Sequence, residues 1–343
     1  MEETSAPPPL PSAPPAPPVR SVPLKRDRIV VIGRRRSGKT IFLARLYEAL
    51  WQGCTLVDGR VVETTEKPTR GKITTMVCKA QSGSAHSQLM SIAQELQAGR
   101  WPAGTHANSY AELKVTHNGA EHLLTALDYP GEVFRKAFMS DSDDPDAAEL
   151  LAAIDRACAV IFLIDPSVVA AGGLEADEDT FGLTQAAERI RSTEEGLTVP
   201  IAVVFTKCDA NSALLREAGG VRAFAQKHFQ QMFRSVDRTS VFACAAVRVT
   251  QNALGKVVPR ADRAAENVVE PLRYCLELLE AGADRRRIYQ AKVSSQQAHV
   301  EAKEALRLED KKSSTSWLVF AISVTLLFIV VAIATLVVIT GGK

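Results

Sequence analysis

Near the start of the chain, eight consecutive residues place two glycines, a lysine and a threonine directly after an apolar run, Ile29 to Ile32. Glycines let backbone N–H groups surround an anion at the start of the following helix, where the helix dipole favours negative charge. Lys39 would reach the β- and γ-phosphates, and Thr40 would bind Mg²⁺. The pattern predicts a P-loop, in which the nucleotide contacts come from Gly33, Arg36, Ser37, Gly38, Lys39 and Thr40.

A second motif, Asp128-Tyr129-Pro130-Gly131, follows the apolar run Leu123 to Leu127. Asp128 would hold Mg²⁺ directly or through water, and the Gly131 amide would contact the γ-phosphate. Asp-x-x-Gly alone usually marks only a turn. Its position two predicted strands after the P-loop favours the metal-binding interpretation.

A third motif, Thr206-Lys207-Cys208-Asp209, follows the apolar run Ile201 to Phe205. In this pattern the Asp209 carboxylate pairs with two donors on the edge of guanine, and adenine does not offer that pair. Lys207 would lay its aliphatic stem over the base, and Thr206 would bridge to the P-loop. The motif therefore predicts a preference for guanine nucleotides.

The elements that must position these residues alternate between apolar runs and helical patterns, as is typical of an α/β fold with a mostly parallel sheet. Asn118-Gly119 indicates a hairpin, which would place one antiparallel pair at the sheet edge. The six predicted strands are Arg28 to Ile32, Ala111 to His117, Leu123 to Leu127, Ala159 to Ile164, Ile201 to Phe205 and Val241 to Ala245. Helices are predicted at Thr40 to Trp51, about Ser84 to Gln97, Ala147 to Ala157, Thr180 to Thr193, Val221 to Phe233 and Ala264 to Ala281.

The two ends of the chain differ from its middle. Nine of the seventeen prolines lie before residue 24, so residues 1–26 are expected to be a disordered tail. Trp317 to Thr340 contains no charged residue over 24 positions, which is enough helix to cross about 30 Å of hydrocarbon. We expect a nucleotide-binding domain at 27–282, a polar helical stalk at 283–315 and a transmembrane helix at 316–340. Lysines before the apolar segment favour a cytoplasmic location for the N-terminal bulk.

Composition excludes some classes of function. The chain has 41 basic and 39 acidic residues and a formal charge of +2, so no nucleic-acid partner is expected. The six cysteines show no Cys-x-x-Cys pair, which favours a reduced compartment. The histidines show no metal-ligand or catalytic-triad spacing, so we expect only the one active site.

The motifs, taken in their order along residues 27–282, resemble those of TRAFAC-class P-loop GTPases. The Asp128-to-Glu132 box, the Gly99-to-Thr105 stretch and the apolar C-terminus resemble the bacterial double-GTPase group. That resemblance implies a G domain, GTP or GDP with Mg²⁺ as ligands, and a switch that works beside a partner GTPase in a multi-gene bacterial system.

Two contacts follow from this resemblance. Cys244-Ala245 stands where a Ser-Ala pair usually offers a backbone N–H to guanine O6. Thr105, six residues before Ala111 and 23 before Asp128, has the spacing of the switch I threonine that binds Mg²⁺, although earlier threonines remain alternatives. The choice of Thr105 makes residues 52–104 an insertion, with a lid or a partner surface as its expected role.

The catalytic residues implied are Lys39, Thr105, Arg36 and Glu132. Glu132 occupies the position at which Ras-like proteins carry a glutamine, and its negative charge beside the γ-phosphate predicts slow turnover. Arg36 matches the P-loop arginine of guanylate-binding proteins, which acts as a finger on dimerisation; alternatively, it only attracts phosphate or faces solvent.

These expectations describe a slow GTPase switch, anchored as a single-pass protein of the cell inner membrane, with a homodimer or a second GTPase as its partner. A nucleotide-binding scaffold without significant hydrolysis is the alternative. An ATPase is disfavoured by the 206–209 motif.

Overall fold

The computed structural model describes residues 25–34, 36–57, 60–62, 73–103, 109–128, 131–139, 144–193, 196–233, 238–261, 265–285, 288, 290 and 294. The chain divides into two units, residues 1–279 and 280–343. In the second unit, the described residues are helical. The predicted tail, most of the predicted stalk and the whole apolar segment 317–340 lie outside the described residues.

The first unit is built on one large sheet with helices packed against it. Its strands are β1 Arg28–Gly33, β2 Cys54–Val57, β3 Arg60–Val62, β4 Ile73–Ala80, β5 Ser109–His117, β6 Ala120–Asp128, β7 Ala157–Ile164, β8 Ile201–Phe205, β9 Thr239–Ala243, β10 Val249–Gln251 and β11 Val257–Pro259. Its helices are α1 Lys39–Leu50, α2 Gly83–Gln97, α3 Gly131–Met139, α4 Pro145–Asp155, α5 Pro166–Ala171, α6 Leu174–Arg191, α7 Ser212–Glu217 and α8 Val221–His228, followed by α9 from residue 270 to the end of the unit at 279.

In the part of the chain that the structure describes, nine strands form the main sheet in the order β3-β2-β4-β5-β6-β1-β7-β8-β9, and β10 pairs separately with β11. β6, β1, β7, β8 and β9 are parallel to one another. β5 and β2 run against their neighbours, so the remaining strands all share the direction of β1. The predicted α/β fold with a mostly parallel sheet is confirmed.

Alternation along the central strands divides the core into two layers. Ile29 and Val31 face one side with residues of α1, α2 and α9, whereas Val30 and Ile32 face the other with residues of α4, α6 and α8. Helices on both faces explain why β1, β7 and β8 are almost continuously apolar. The central strands are therefore buried between two layers of helices.

The structure corrects three details of the predicted fold. Among the described residues the main sheet has nine strands rather than six, because the predicted insertion contributes β2, β3 and β4 as well as α2. The β5–β6 hairpin consequently lies inside the sheet, since β4 pairs along the outer side of β5. The last helix begins at residue 270 rather than 264, because Glu266 forms a backbone bridge with Ala245.

Within the part of the chain that the structure describes, no helix is both long and apolar enough to span a bilayer.

Candidate nucleotide-binding site

The predicted site residues belong to loops at one edge of the sheet. The parallel strands β1, β6, β7, β8 and β9 run in one direction, so their carboxyl ends meet at the same edge. Ligands of open α/β sheets bind beyond these strand ends. The strand-end residues, or those that follow directly, are Gly33, Asp128, Asp165, Thr206 and Cys244.

The loop between β1 and α1 has the backbone geometry of a tight anion-binding turn. Gly38 caps α1 with φ 83°, and Arg36 also lies in the left-handed region, with φ 67°. A side chain on Gly33 would meet the Ser37 hydroxyl at 2.5 Å and the Leu163 carbonyl oxygen at 2.7 Å. Only glycine therefore fits at the start of this loop.

Lys39 is buried beneath the loop, with 5% of its surface exposed. Its Nζ donates to the Gly33 carbonyl oxygen at 2.6 Å and to the Arg34 carbonyl oxygen at 3.1 Å. α1 has no acidic residue in its first turn, so the positive end of its dipole is not neutralised there. Lys39 and this helix end together favour an anionic ligand.

The loop after β8 is fastened to the loop after β1. The buried Thr206 hydroxyl donates to the Ser37 carbonyl oxygen at 2.9 Å and lies 3.2 Å from that of Ile164. Lys207, with φ 53°, donates from Nζ to the Arg36 carbonyl oxygen at 2.9 Å. The structure thus brings the first and third motifs into direct contact. The two hydrogen bonds join residues that are 169 and 171 positions apart in the sequence.

Asp209 is half-buried beside these contacts, and among the described residues its carboxylate has no hydrogen-bond or ion-pair partner. The neighbouring thiol of Cys208 donates to the Phe205 carbonyl oxygen at 3.0 Å. Burial raises the pKa of Cys208 to about 11, so this thiol stays protonated at neutral pH and is a poor nucleophile. The loop is suited to binding rather than to covalent chemistry.

The pair Cys244-Ala245, predicted to offer a backbone N–H to guanine O6, uses both of its amides within the protein. The Cys244 N–H donates to the Phe205 carbonyl oxygen at 2.8 Å, and the Ala245 N–H donates to the Glu266 carbonyl oxygen at 3.1 Å. Each amide therefore already has a backbone acceptor within the protein. The Ala245 contact belongs to a backbone bridge with Glu266, which joins residues that no sequence pattern links.

The second motif ends β6 and begins α3. Val31 of β1 pairs with Ala126 of β6, so Asp128, two residues on, ends its strand at the level of Gly33. Gly131 and Glu132 are the first two residues of α3. The side chains of Asp128 and Glu132, together with Arg35 and Thr105, lie outside the described part of the structure. Trp101, among the last described residues before Thr105, donates from Nε1 to the Val257 carbonyl oxygen at 2.9 Å.

Magnesium fits the chemistry of these positions. Thr40 in the first turn of α1 and Asp128 at the end of the adjacent strand offer oxygen ligands, which Mg²⁺ prefers alongside water and phosphate. No group of three or more His, Cys, Asp or Glu residues able to hold a metal occurs among the described residues.

Asp165 was missed by sequence reasoning, although it directly follows β7 at the same sheet edge. It is 6% exposed, and it forms an ion pair with Lys207 at 2.6 Å. The available signal was its position: an acidic residue after an apolar strand and before a proline, in line with Gly33 and Thr206.

A comparison with protein families decides the class. The model of the Double-GTPase 2 family matches residues 27–268, more than two thirds of the 343-residue chain. The chain belongs to the Double-GTPase 2 family. This membership confirms the resemblance of its motifs to those of P-loop GTPases. None of the curated proteins matches the sequence.

Solved structures similar to this Double-GTPase 2 chain are distant. The small COPII coat GTPase of Encephalitozoon cuniculi in complex with GDP is 10% identical, with a TM-score of 0.36 over 77% of this chain and 84% of that one. A Plasmodium falciparum protein assigned as nucleolar GTP-binding protein 1 is 11% identical, with a TM-score of 0.35 over 79% and 95%. A bacterial selenocysteine-specific elongation factor is 14% identical, with a TM-score of 0.34 over 75% and 29%. These similarities are too low to transfer a ligand or a partner.

Proposed function

We propose that this Double-GTPase 2 protein binds GTP and GDP with Mg²⁺ and hydrolyses GTP slowly, as a molecular switch. The observation that carries the proposal is the attachment of the 206–209 loop to the P-loop through Thr206 and Lys207. This attachment sets the Asp209 carboxylate, which has no partner among the described residues, at a defined position relative to the phosphate site.

Slow hydrolysis follows from the residue at position 132. A glutamate directly after Gly131 would place negative charge near the γ-phosphate, where a neutral amide would orient water better. Arg36 is exposed at the loop and would supply positive charge if a second subunit redirected its side chain. Turnover would then depend on dimerisation or on a partner GTPase.

The C-terminal segment supports tethering to a membrane. Trp317 to Thr340 has the length and composition of a single transmembrane helix, with the domain on the cytoplasmic side. Restriction to the bilayer plane would raise the effective concentration of a second copy or of a partner GTPase. A bacterial inner membrane is the proposed location.

Base selection is tested on the full-length chain in mild detergent by measuring binding of GTP, GDP and ATP with Mg²⁺. We expect GTP and GDP to bind at least about a hundredfold more tightly than ATP, because ATP leaves a half-buried carboxylate unpaired. Asp209→Asn should weaken GTP binding and strengthen binding of xanthosine triphosphate, whose C2 oxygen accepts from the new amide. Equal affinity of the unaltered protein for GTP and ATP would refute the guanine assignment.

Hydrolysis is followed on the same samples as phosphate release over time. Measurable release that requires GTP and Mg²⁺ supports the switch. Tight binding without release, alone and at high protein concentration, supports the nucleotide-binding scaffold.

A further inference from the structure

Asp165 is a buried carboxylate whose two oxygens have different partners. Oδ1 accepts from the backbone N–H of Ser167 at 3.0 Å and from the Ser167 hydroxyl at 2.7 Å. Oδ2 accepts from Nζ of Lys207 at 2.6 Å. The side chain of Asp165 is only 7% exposed, so its charge depends on these partners for stabilisation.

Lys207 is held from three directions. Its Nζ binds Asp165 and the Arg36 carbonyl oxygen of the P-loop, and its own carbonyl oxygen accepts from the backbone N–H and the side-chain amide of Asn211, both at 3.0 Å. A free lysine side chain has many rotamers, and ordering them on binding weakens affinity. Here the ammonium group is already fixed, while the side chain remains 44% exposed to a ligand.

We infer that Asp165 is a positioning residue for guanine nucleotides. By fixing the Lys207 ammonium group between β7 and the P-loop, it keeps the aliphatic stem of Lys207 in place over the base and slows nucleotide release. This inference rests on the proposed binding of GTP and GDP at the same site. Because Oδ1 serves the start of α5 and Oδ2 serves Lys207, the two roles are separable by substitution.

The test measures dissociation of methylanthraniloyl-GDP from the full-length chain with Mg²⁺, after addition of excess unlabelled GDP. Asp165→Asn keeps an oxygen for the Ser167 amide but turns an N–H donor towards the Lys207 ammonium group. We expect GDP to dissociate about tenfold faster, the effect of losing one charge-assisted hydrogen bond. Ser167→Ala removes one contact to Oδ1 and leaves Oδ2 paired, so its dissociation rate should stay within about twofold of the unaltered protein.

A double-substitution cycle separates positioning from a merely structural role. In a Lys207→Met background, Asp165→Asn should change the dissociation rate by less than about twofold, because its partner is already gone. In the Lys207→Met background, Asp165→Asn should also raise the melting temperature, because it removes a buried charge that has lost its ion-pair partner. In the unaltered background, the same substitution should lower the melting temperature. An equal acceleration of GDP release in both backgrounds would overturn the inference.

Three further outcomes are distinguished. If Asp165→Asn does not fold, Asp165→Ser provides the same comparison, because a serine hydroxyl still caps the Ser167 amide. If the unaltered protein does not bind GDP, the proposed function itself fails. If it binds and Asp165→Asn releases GDP at the unaltered rate, only the role of Asp165 is refuted.

Discussion

The sheet has two halves that differ in how they are covered. In β1, β7 and β8 nearly every residue is buried, because helices pack on both faces. We call this the doubly covered half. In the half formed by β2 to β5, burial alternates among the described residues, and we call it the singly covered half. Its core-facing and exposed residues are, respectively, Met76, Cys78, Leu113 and Val115, and Thr75, Lys79 and Lys114.

The difference shows where function is concentrated. The doubly covered half is parallel, so several of its strand ends meet at one edge and bring together Lys39, Asp165, Thr206 and Lys207. The singly covered half alternates in direction and does not gather its strand ends in this way. We therefore expect substitutions in the first half to affect nucleotide binding, and those in the second to affect stability alone.

The largest effect is expected for a methyl group added at Gly33. Gly33→Ala places Cβ within 2.7 Å of the Leu163 backbone oxygen, and we expect a loss of about 3 kcal/mol in the free energy of unfolding together with loss of GDP binding. Gly119→Ala is the matched control in the β5–β6 turn, where φ is 85° but no atom lies within 4 Å. It should lose about 1 kcal/mol and bind GDP normally, as measured by urea unfolding and GDP titration. Equal losses of stability and of GDP binding in the two variants would contradict the expected difference between the two halves of the sheet.

An intermediate effect is expected for a core residue of the singly covered half. Leu113 is fully buried, so Leu113→Ala should lower the free energy of unfolding by about 3 kcal/mol. GDP affinity measured below the unfolding temperature should remain within about twofold, because Leu113 pairs with Leu124, four residues before the end of β6. A large loss of affinity would show that this half also shapes the site.

The smallest effect is expected for an exposed ion pair. Lys114 and Glu121 approach to 2.6 Å, the same distance as Lys207 and Asp165, but their side chains are 48% and 60% exposed. Lys114→Met should change the free energy of unfolding by no more than about 0.5 kcal/mol and leave GDP dissociation unaltered, because solvent screens the pair. A change in GDP dissociation as large as that expected for Asp165→Asn would mean that burial does not distinguish the two pairs.

The sequence alone determined the class of protein and the main binding motifs. Continuous apolar runs mark strands covered on both faces, and glycines with a lysine after such a run satisfy the local geometry of a phosphate loop. These features depend on neighbouring residues only, so Gly33 to Thr40 and Thr206 to Asp209 were recognisable. The short strands β2 and β3 and the weak alternation of β4 gave no comparable local signal.

Tertiary structure decided which distant residues meet. The ion pair of Asp165 and Lys207 joins positions 42 residues apart. The bridge between Ala245 and Glu266 gives a backbone acceptor to an amide that local sequence had assigned to guanine. Both depend on the packing of strands and loops that are remote along the chain. Local patterns report the conformation of a segment, whereas the contacts that complete a site depend on how those segments are arranged in space.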